Sequence, residues 1–421
     1  MGKPTESEKK VANYNFFVKV FTSIQIMYII IIILLSSLIY LILDYFGPKK
    51  IYLQHDYVFG MLCLKARDLV VQQYDSRGNL FVTRGMIIYQ LKKGDERFTK
   101  KGHVPTGFNI FWLSNFTMLR RFTLWHECIE IVVNNKEEIC ALSAGYVWYR
   151  SANGKKFLKS MKLTHYGIGK GRGALSGGII NIDNSTVFFG EYFRNSGRTK
   201  VKIYESNNFG ITWEIAHEFH PGKIQHIHTL QIDPFSGKLW IGTGDMDKES
   251  MIGWSADNYK TIIPIGQGSQ IWRVCQLIFT EDAVYWGTDT GSEDMAGIYR
   301  WDRENEKLGK IQKINGAILF GTRLAKGTIV MSTDREGFPN EKDEMAKLYI
   351  ISKNNKIKTI DCGTWNHKKP GFRFSFAKLR FQRDQGSDSV AITCINLKEF
   401  PQNDLIILSE DALISSQKEM L

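Results

Sequence analysis

Two hydrophobic rhythms divide the chain. From Val20 to Leu43 no residue is charged, and the run VFTSIQIMYIIIIILLSSLIYLIL is apolar nearly throughout. It matches the ~20 residues a helix needs to cross the hydrocarbon core of a bilayer. Tyr14, the Phe16–Phe17 pair, Tyr40 and Tyr45 flank it where interfacial aromatics sit, and Gly47-Pro48 stops it. No small-x-small cleavage site follows at Leu43-Asp44-Tyr45-Phe46, so the run reads as an uncleaved anchor and not as a signal peptide. This pattern predicts a cytoplasmic tail over 1–19, a transmembrane signal-anchor helix over 20–46 and a folded domain over 50–421.

Beyond residue 65 the pattern changes to runs with strand character separated by polar turns. No convincing amphipathic helix is found there. The turns are Asp75–Asn79, Asn134–Glu137, Asp183–Ser185, Asp233–Lys238, Thr280–Ala283, Ala325–Gly327 and Arg383–Asp388. Strand runs such as LFVTR, ICALS, LWIGTGD, VYWGTD, TIVMSTD and SVAITCI follow them. Their spacing of about 45–60 residues is the period of four-stranded propeller blades. The expected class is all-β, a β-propeller of seven blades with six as the alternative, preceded by one transmembrane helix. Its last repeat lacks an evident fourth strand, and Ile51-Tyr-Leu-Gln54 is the segment expected to supply it and close the ring.

A second signal follows each hairpin. Ser206-Asn-Asn-Phe-Gly-Ile-Thr-Trp213 matches the pattern S-x-D/N-x-G-x-T-W. Ser151–Phe157 and Ser255–Thr261 look like degraded copies, and Trp301–Glu306 and Ser352–Lys356 occupy the same place in later repeats. In these residues the chain resembles the sialidase-like superfamily of Asp-box (BNR-repeat) propellers. The resemblance implies that each box is a structural turn between the third and fourth strands of a blade, on the face opposite the binding site. It further implies glycoside-hydrolase-like chemistry in which arginines from several blades grip an anionic sugar. The family's Phe-Arg-Ile-Pro signature is absent, and no tyrosine–glutamate nucleophile pair can be assigned.

Charge and candidate chemistry sharpen the expectation. The formal net charge is +12, which suits polyanions. Behind a membrane anchor these are acidic glycans or lipid headgroups, and no nucleic acid. Lys3, Lys9, Lys10 and Lys19 precede the span and Lys49, Lys50 and Lys65 follow it. The slight excess places the N-terminus in the cytoplasm and the propeller outside. Sequons at Asn115 and Asn184 agree with export. Six scattered cysteines include no CxxC pair, so no zinc ribbon is present.

The loops entering the first strands and leaving the second strands of the repeats meet on one face. There, His226 and His228, two apart on one strand, project to the same side as bases or as ligands for a divalent metal. His217 and His220 lie nearby in sequence. Asp245 and Asp289 are acid/base candidates. Arg172, Arg273, Arg335 and Arg373, with Trp272, are candidate recognisers of an acidic saccharide, because guanidinium forks onto carboxylate. Hydrolysis and β-elimination both fit this set. A non-catalytic propeller binding a glycan or a partner protein is the alternative.

Overall fold

The computed structural model describes residues 6–105, 116–117, 128–167, 169–367 and 376–418. Two compact units divide the chain, Met1–Pro48 and Lys49–Leu421. The first is one helix, Glu6–Phe46. Its stretch Thr22–Ile39 has mean hydropathy 2.3 with no side chain buried, so by length and composition it is able to cross a membrane. Arg373 and Asn115 lie outside the described residues.

The second unit is a β-propeller. Its described residues form eight sheets, seven of four or five antiparallel strands and one of three. In chain order, sheet I runs from Val70–Tyr74 to Arg97–His103, sheet II from Cys128–Val133 to Leu158–Lys162, and sheet III from Ile179–Asn181 to Glu214–Phe219. Sheet IV runs from His226–Ile232 to Ile263–Gln267, sheet V from Leu277–Phe279 to Leu308–Lys313, and sheet VI from Ile318–Arg323 to Ile357–Thr364. Sheet VII combines Lys378–Phe381, Ser389–Ile395 and Leu405–Ser409 with two strands from the start of the domain, Met61–Ala66 and Gln54–Val58.

Each sheet buries both faces against its neighbours. A core cluster joins I to II through Phe81, Ile88, Ile131 and Trp148, and another joins VI to VII through Val330, Leu348, Leu379 and Ile392. The cluster of Leu69, Val82 and Phe98 with Ala391 and Ile407 joins VII back to I, so the ring is closed. Closure follows the expected principle with different residues. The strand added beside Leu405–Ser409 is Met61–Ala66, with Leu64 opposite Ile407. Ile51 and Tyr52 instead pair with Phe98 and Arg97 on the outer edge of sheet I.

All seven polar turns join the first and second strands of their sheets. In the turn Ser206–Trp213, between the third and fourth strands of sheet III, Ser206 Oγ accepts from Gly210 N at 2.7 Å and Asn208 Oδ1 accepts from Thr212 N at 2.8 Å. Gly210 sits at φ +90°, where an L-residue is strained. The turn of sheet IV repeats the pattern, Ser255 Oγ accepting from Tyr259 N and Asp257 Oδ1 from Thr261 N.

The innermost strands present unpaired backbone groups toward the axis, and side chains satisfy them. Gln231 accepts from Leu277 N at 2.6 Å and donates to Leu277 O at 2.9 Å. Gln385 accepts from Phe279 N, Gln72 from Ile131 N and Gln276 from Gly321 N. Arg383 donates to Leu230 O. This collar does for the inner edges what a neighbouring strand does elsewhere in a sheet.

Candidate functional site

His226 opens the first strand of sheet IV, and Asp245 follows the second strand of the same sheet. The ladder pairs Ile227 with Thr243 and Thr229 with Gly242, leaving His228 as the extra residue of a β-bulge. Such bulges bend a strand and re-aim its side chains. Gly244 makes room for the result, because a Cβ there would lie 2.4 Å from His228 Cε1.

Both imidazoles are buried, and each has its Nδ1 against a backbone carbonyl, His226 on Phe193 O at 3.1 Å and His228 on Val274 O at 3.2 Å. Those carbonyls accept only, so each Nδ1 carries the proton and each Nε2 of a neutral ring presents a lone pair. The two Nε2 atoms nevertheless stand 3.0 Å apart, with Asp245 Oδ1 at 3.1 Å from one and 3.4 Å from the other. Two lone pairs and a carboxylate oxygen at such separations repel unless a proton or a metal ion lies between them. Nε2, Nε2 and Oδ1 are spaced as three cis ligands of one metal ion, and carbonyl-anchored Nδ1 groups are the usual outer support for histidine ligands. These three residues form a potential metal-holding group.

Arg273 lies beside them, its Nη2 at 3.2 Å from Asp245 Oδ1 and 3.1 Å from Asp289 Oδ2. Burial works to raise the Asp245 carboxyl, and protonated His226 and His228 would outweigh it and hold the group well below the usual carboxylate range, as a metal ion on the same atoms would. Cys275 Sγ lies between His228 Nδ1 at 3.7 Å and Asp289 Oδ2 at 3.5 Å, its thiol pushed up by burial. The Tyr192 ring stands 4.0 Å from that of His226, and burial raises its hydroxyl so that it stays protonated.

Across the axis Lys378, entering sheet VII, faces Glu336 at 3.5 Å and Asp334 at 3.7 Å. Asp334 is fully buried and neither oxygen has a hydrogen-bond partner. Burial raises both carboxyls. The mouth thus gathers the carboxyls of Asp245, Asp289, Asp334 and Glu336 beside the cations of Arg273 and Lys378, with burial favouring the neutral form of Asp334 and Glu336.

His226, His228, Asp245, Arg273 and Asp289 therefore meet, and Arg172 stands exposed nearby, its charge felt at Tyr192 and Lys378. Two expectations are corrected. Arg335 is buried, and its guanidinium is spent on Asn315 O, Asp334 O and Asp343, so it cannot reach a ligand. Trp272 packs its ring against Trp286 at 5.6 Å and over Gly266, as part of the core between sheets IV and V. His217 is drawn off as well, since it lies on the outer strand of sheet III, with its ring 4.6 Å from that of Phe219. Tyr192, Cys275 and Lys378 are the residues that sequence reasoning missed. Lys378 had a signal, because it opens a first strand just as His226 does.

No family model matches the sequence, and no curated protein matches it. Solved structures resemble the fold. An oligogalacturonate lyase from Vibrio parahaemolyticus superposes with TM-score 0.53 at 9% identity, covering 85% of this chain and 96% of that one. The extracellular domain of a one-component system from B. thetaiotaomicron gives 0.49 at 9% identity over 84% of this chain, which spans only 39% of that protein. The Pan2 WD40 domain of Neurospora crassa gives 0.45 at 10% identity, over 81% and 88%. At such identities the likeness is one of fold.

Proposed function

We propose that the protein is a membrane-anchored, extracytoplasmic propeller of seven blades that holds a divalent cation on His226, His228 and Asp245 and acts there on an acidic saccharide. The observation that carries this reading is the pair of Nε2 atoms, 3.0 Å apart, that share Asp245 Oδ1. When bound, the cation would neutralise a substrate carboxylate and so acidify the adjacent C–H. His226 and His228 keep their rings fixed through Phe193 O and Val274 O. Asp289, held by Arg273, is placed to accept a proton, and Tyr192, kept protonated, to deliver one to a departing oxygen. That division of roles suits β-elimination from a uronate more than hydrolysis, and a lyase of oligogalacturonate is among the propellers of similar fold. The sialidase-like kinship rests on the turn geometry at Ser206 and Ser255.

The second reading, a binder without turnover, is favoured by Arg273, which already locks both Asp245 and Asp289. One experiment separates them. Full-length protein is titrated with manganese, calcium and zinc by calorimetry and then incubated with acidic oligosaccharides. An unsaturated uronate, read by its ultraviolet absorbance, supports elimination, and new reducing ends alone support hydrolysis. Saccharide binding without product supports the binder. If His226→Ala/His228→Ala leaves cation binding intact, the cation site is lost to this reading.

A further inference from the structure

The three-stranded sheet belongs to none of the larger seven. Its strands are Tyr166–Gly167, Gly171–Gly173 and Tyr192–Phe193, pairing Tyr166 with Arg172 and Gly171 with Phe193. Its first two strands lie at Tyr166–Gly167 and Gly171–Gly173 of a glycine-rich stretch. Gly171, at φ +125°, lets the backbone pass so close to Phe193 that a Cβ would stand 2.9 Å from the Phe193 Cα. The small sheet is joined to the candidate site at its base. Phe193 O accepts from His226 Nδ1, the Tyr192 ring lies tilted beside that of His226, and Ile227 N donates to Glu191 O.

Its outer part is cationic. Lys170, Arg172 and Arg194 are all exposed, and Arg194 N donates to Lys170 O at 2.8 Å, which sets the two residues side by side. Among the described residues no carboxylate lies within ion-pair distance of any of the three. Glu191, which precedes Tyr192 in the chain, is buried and occupied with Lys202 N and Tyr204. Exposed cations without acidic partners, on a platform wired to the mouth, are free to meet an anion from solvent.

Resting on the cation-site reading above, we propose that this flap is the platform that reads the flanking acidic residues of a chain. Lys170 and Arg194 would contact the carboxylate or sulfate groups next to the unit held at His226, His228 and Asp245, with Arg172 between the two. The ligand class is therefore an acidic oligosaccharide of several units and not a free sugar acid.

The test uses full-length protein in nanodiscs of zwitterionic lipid, galacturonate and tetragalacturonate as probes, and calorimetry at two salt concentrations. Wild type is expected to bind the tetramer at least roughly tenfold more tightly than the monomer, an advantage that shrinks with salt because exposed ion pairs are screened. Lys170→Ala/Arg194→Ala should lose most of that advantage and its salt dependence while keeping manganese binding and monomer affinity. Lys170→Arg/Arg194→Lys should restore it. A tetramer advantage that persists in the alanine variant overturns the flap's role, and so does a wild type that binds manganese and monomer yet gains nothing from chain length. Wild type that binds manganese but neither saccharide overturns the acidic-saccharide reading and this inference with it.

Discussion

Single side chains at the two ends of the axis make opposed predictions. Gly244 is the position where the absence of a side chain admits the His228 ring, so Gly244→Ala must push that imidazole off its place beside His226. A loss of cation affinity of at least about tenfold is expected, with a change in melting temperature of only a few degrees, since the core clusters are untouched. Calorimetric titration beside thermal unfolding checks it. Unchanged affinity would show that His228 does not need its observed position. At the opposite mouth Asp384 lines a cavity of ≈ 290 Å³ with Asp75, Gln73 and Gln385. Burial and the charge of Asp75 push its carboxyl up to about 7, against a 2.6 Å hydrogen bond from Tyr74 N. A carboxyl raised on folding favours the protonated form. Its contribution is therefore complete below the unfolded value near 3.8 and disappears as pH climbs through about 7. Wild type should lose stability between pH 4 and 8, on the order of 1 to 4 kcal/mol at most from this group. Asp384→Asn should flatten that slope in urea unfolding at several pH values. Equal slopes would deny Asp384 the assignment.

At the level of strands and sheets the hydrophobic rhythm was informative and the polar interior was not. Turn residues and alternating runs located the first and second strands of the seven larger sheets, because those patterns are local. Closure was legible only as a need. Met61-Leu-Cys-Leu-Lys-Ala66 alternates like any strand, and nothing local says that its partner is Leu405–Ser409, more than 300 residues away. The glutamine collar was hidden for a similar reason. Gln72, Gln231 and Gln385 read as polar surface until the ring places them on exposed inner edges. The collar is testable at Gln231, whose amide satisfies both N and O of Leu277. Gln231→Met keeps the length of the side chain and leaves Leu277 N buried without a partner, while Leu277 O keeps the donor Gln385 Nε2 at 3.0 Å. Stability should fall by about 1–3 kcal/mol, the penalty of one orphaned backbone group, with cooperativity retained. A shift in the urea midpoint with unchanged slope reports it, and a variant as stable as wild type would mean that water replaces the amide.

For the whole molecule, the ring is what turns scattered residues into a site. His226, Arg273, Asp289 and Lys378 share no local motif, and only their common place at the ends of inner strands brings them together. The same argument explains the failure at Arg335: position in the repeat put it at the mouth, but the Asp334–Asp343 loop folds back and absorbs its guanidinium. Which side of the membrane this mouth faces decides whether acidic glycans can reach it, and the lysine count on the two flanks of the helix gives only a slender preference. Four of the six cysteines are protected by burial. Cys140, Cys362 and Cys394 are buried with thiols pushed far up, and Cys63 is raised to about 11, so the reactive thiolate is scarce at all four. With those four thiols protected, site-specific labelling is practicable in a background where Cys128 is replaced by serine and unlabelled wild-type protein is the control for Cys275. Ser196→Cys, on an exposed propeller loop, and Glu6→Cys, at the start of the helix, introduce reporters on opposite flanks of the span. In intact cells a membrane-impermeant maleimide should label Ser196→Cys and spare Glu6→Cys until the membrane is opened. The reverse pattern would put the propeller in the cytoplasm and remove the extracytoplasmic glycans on which the proposed function depends, while leaving the cation site itself standing.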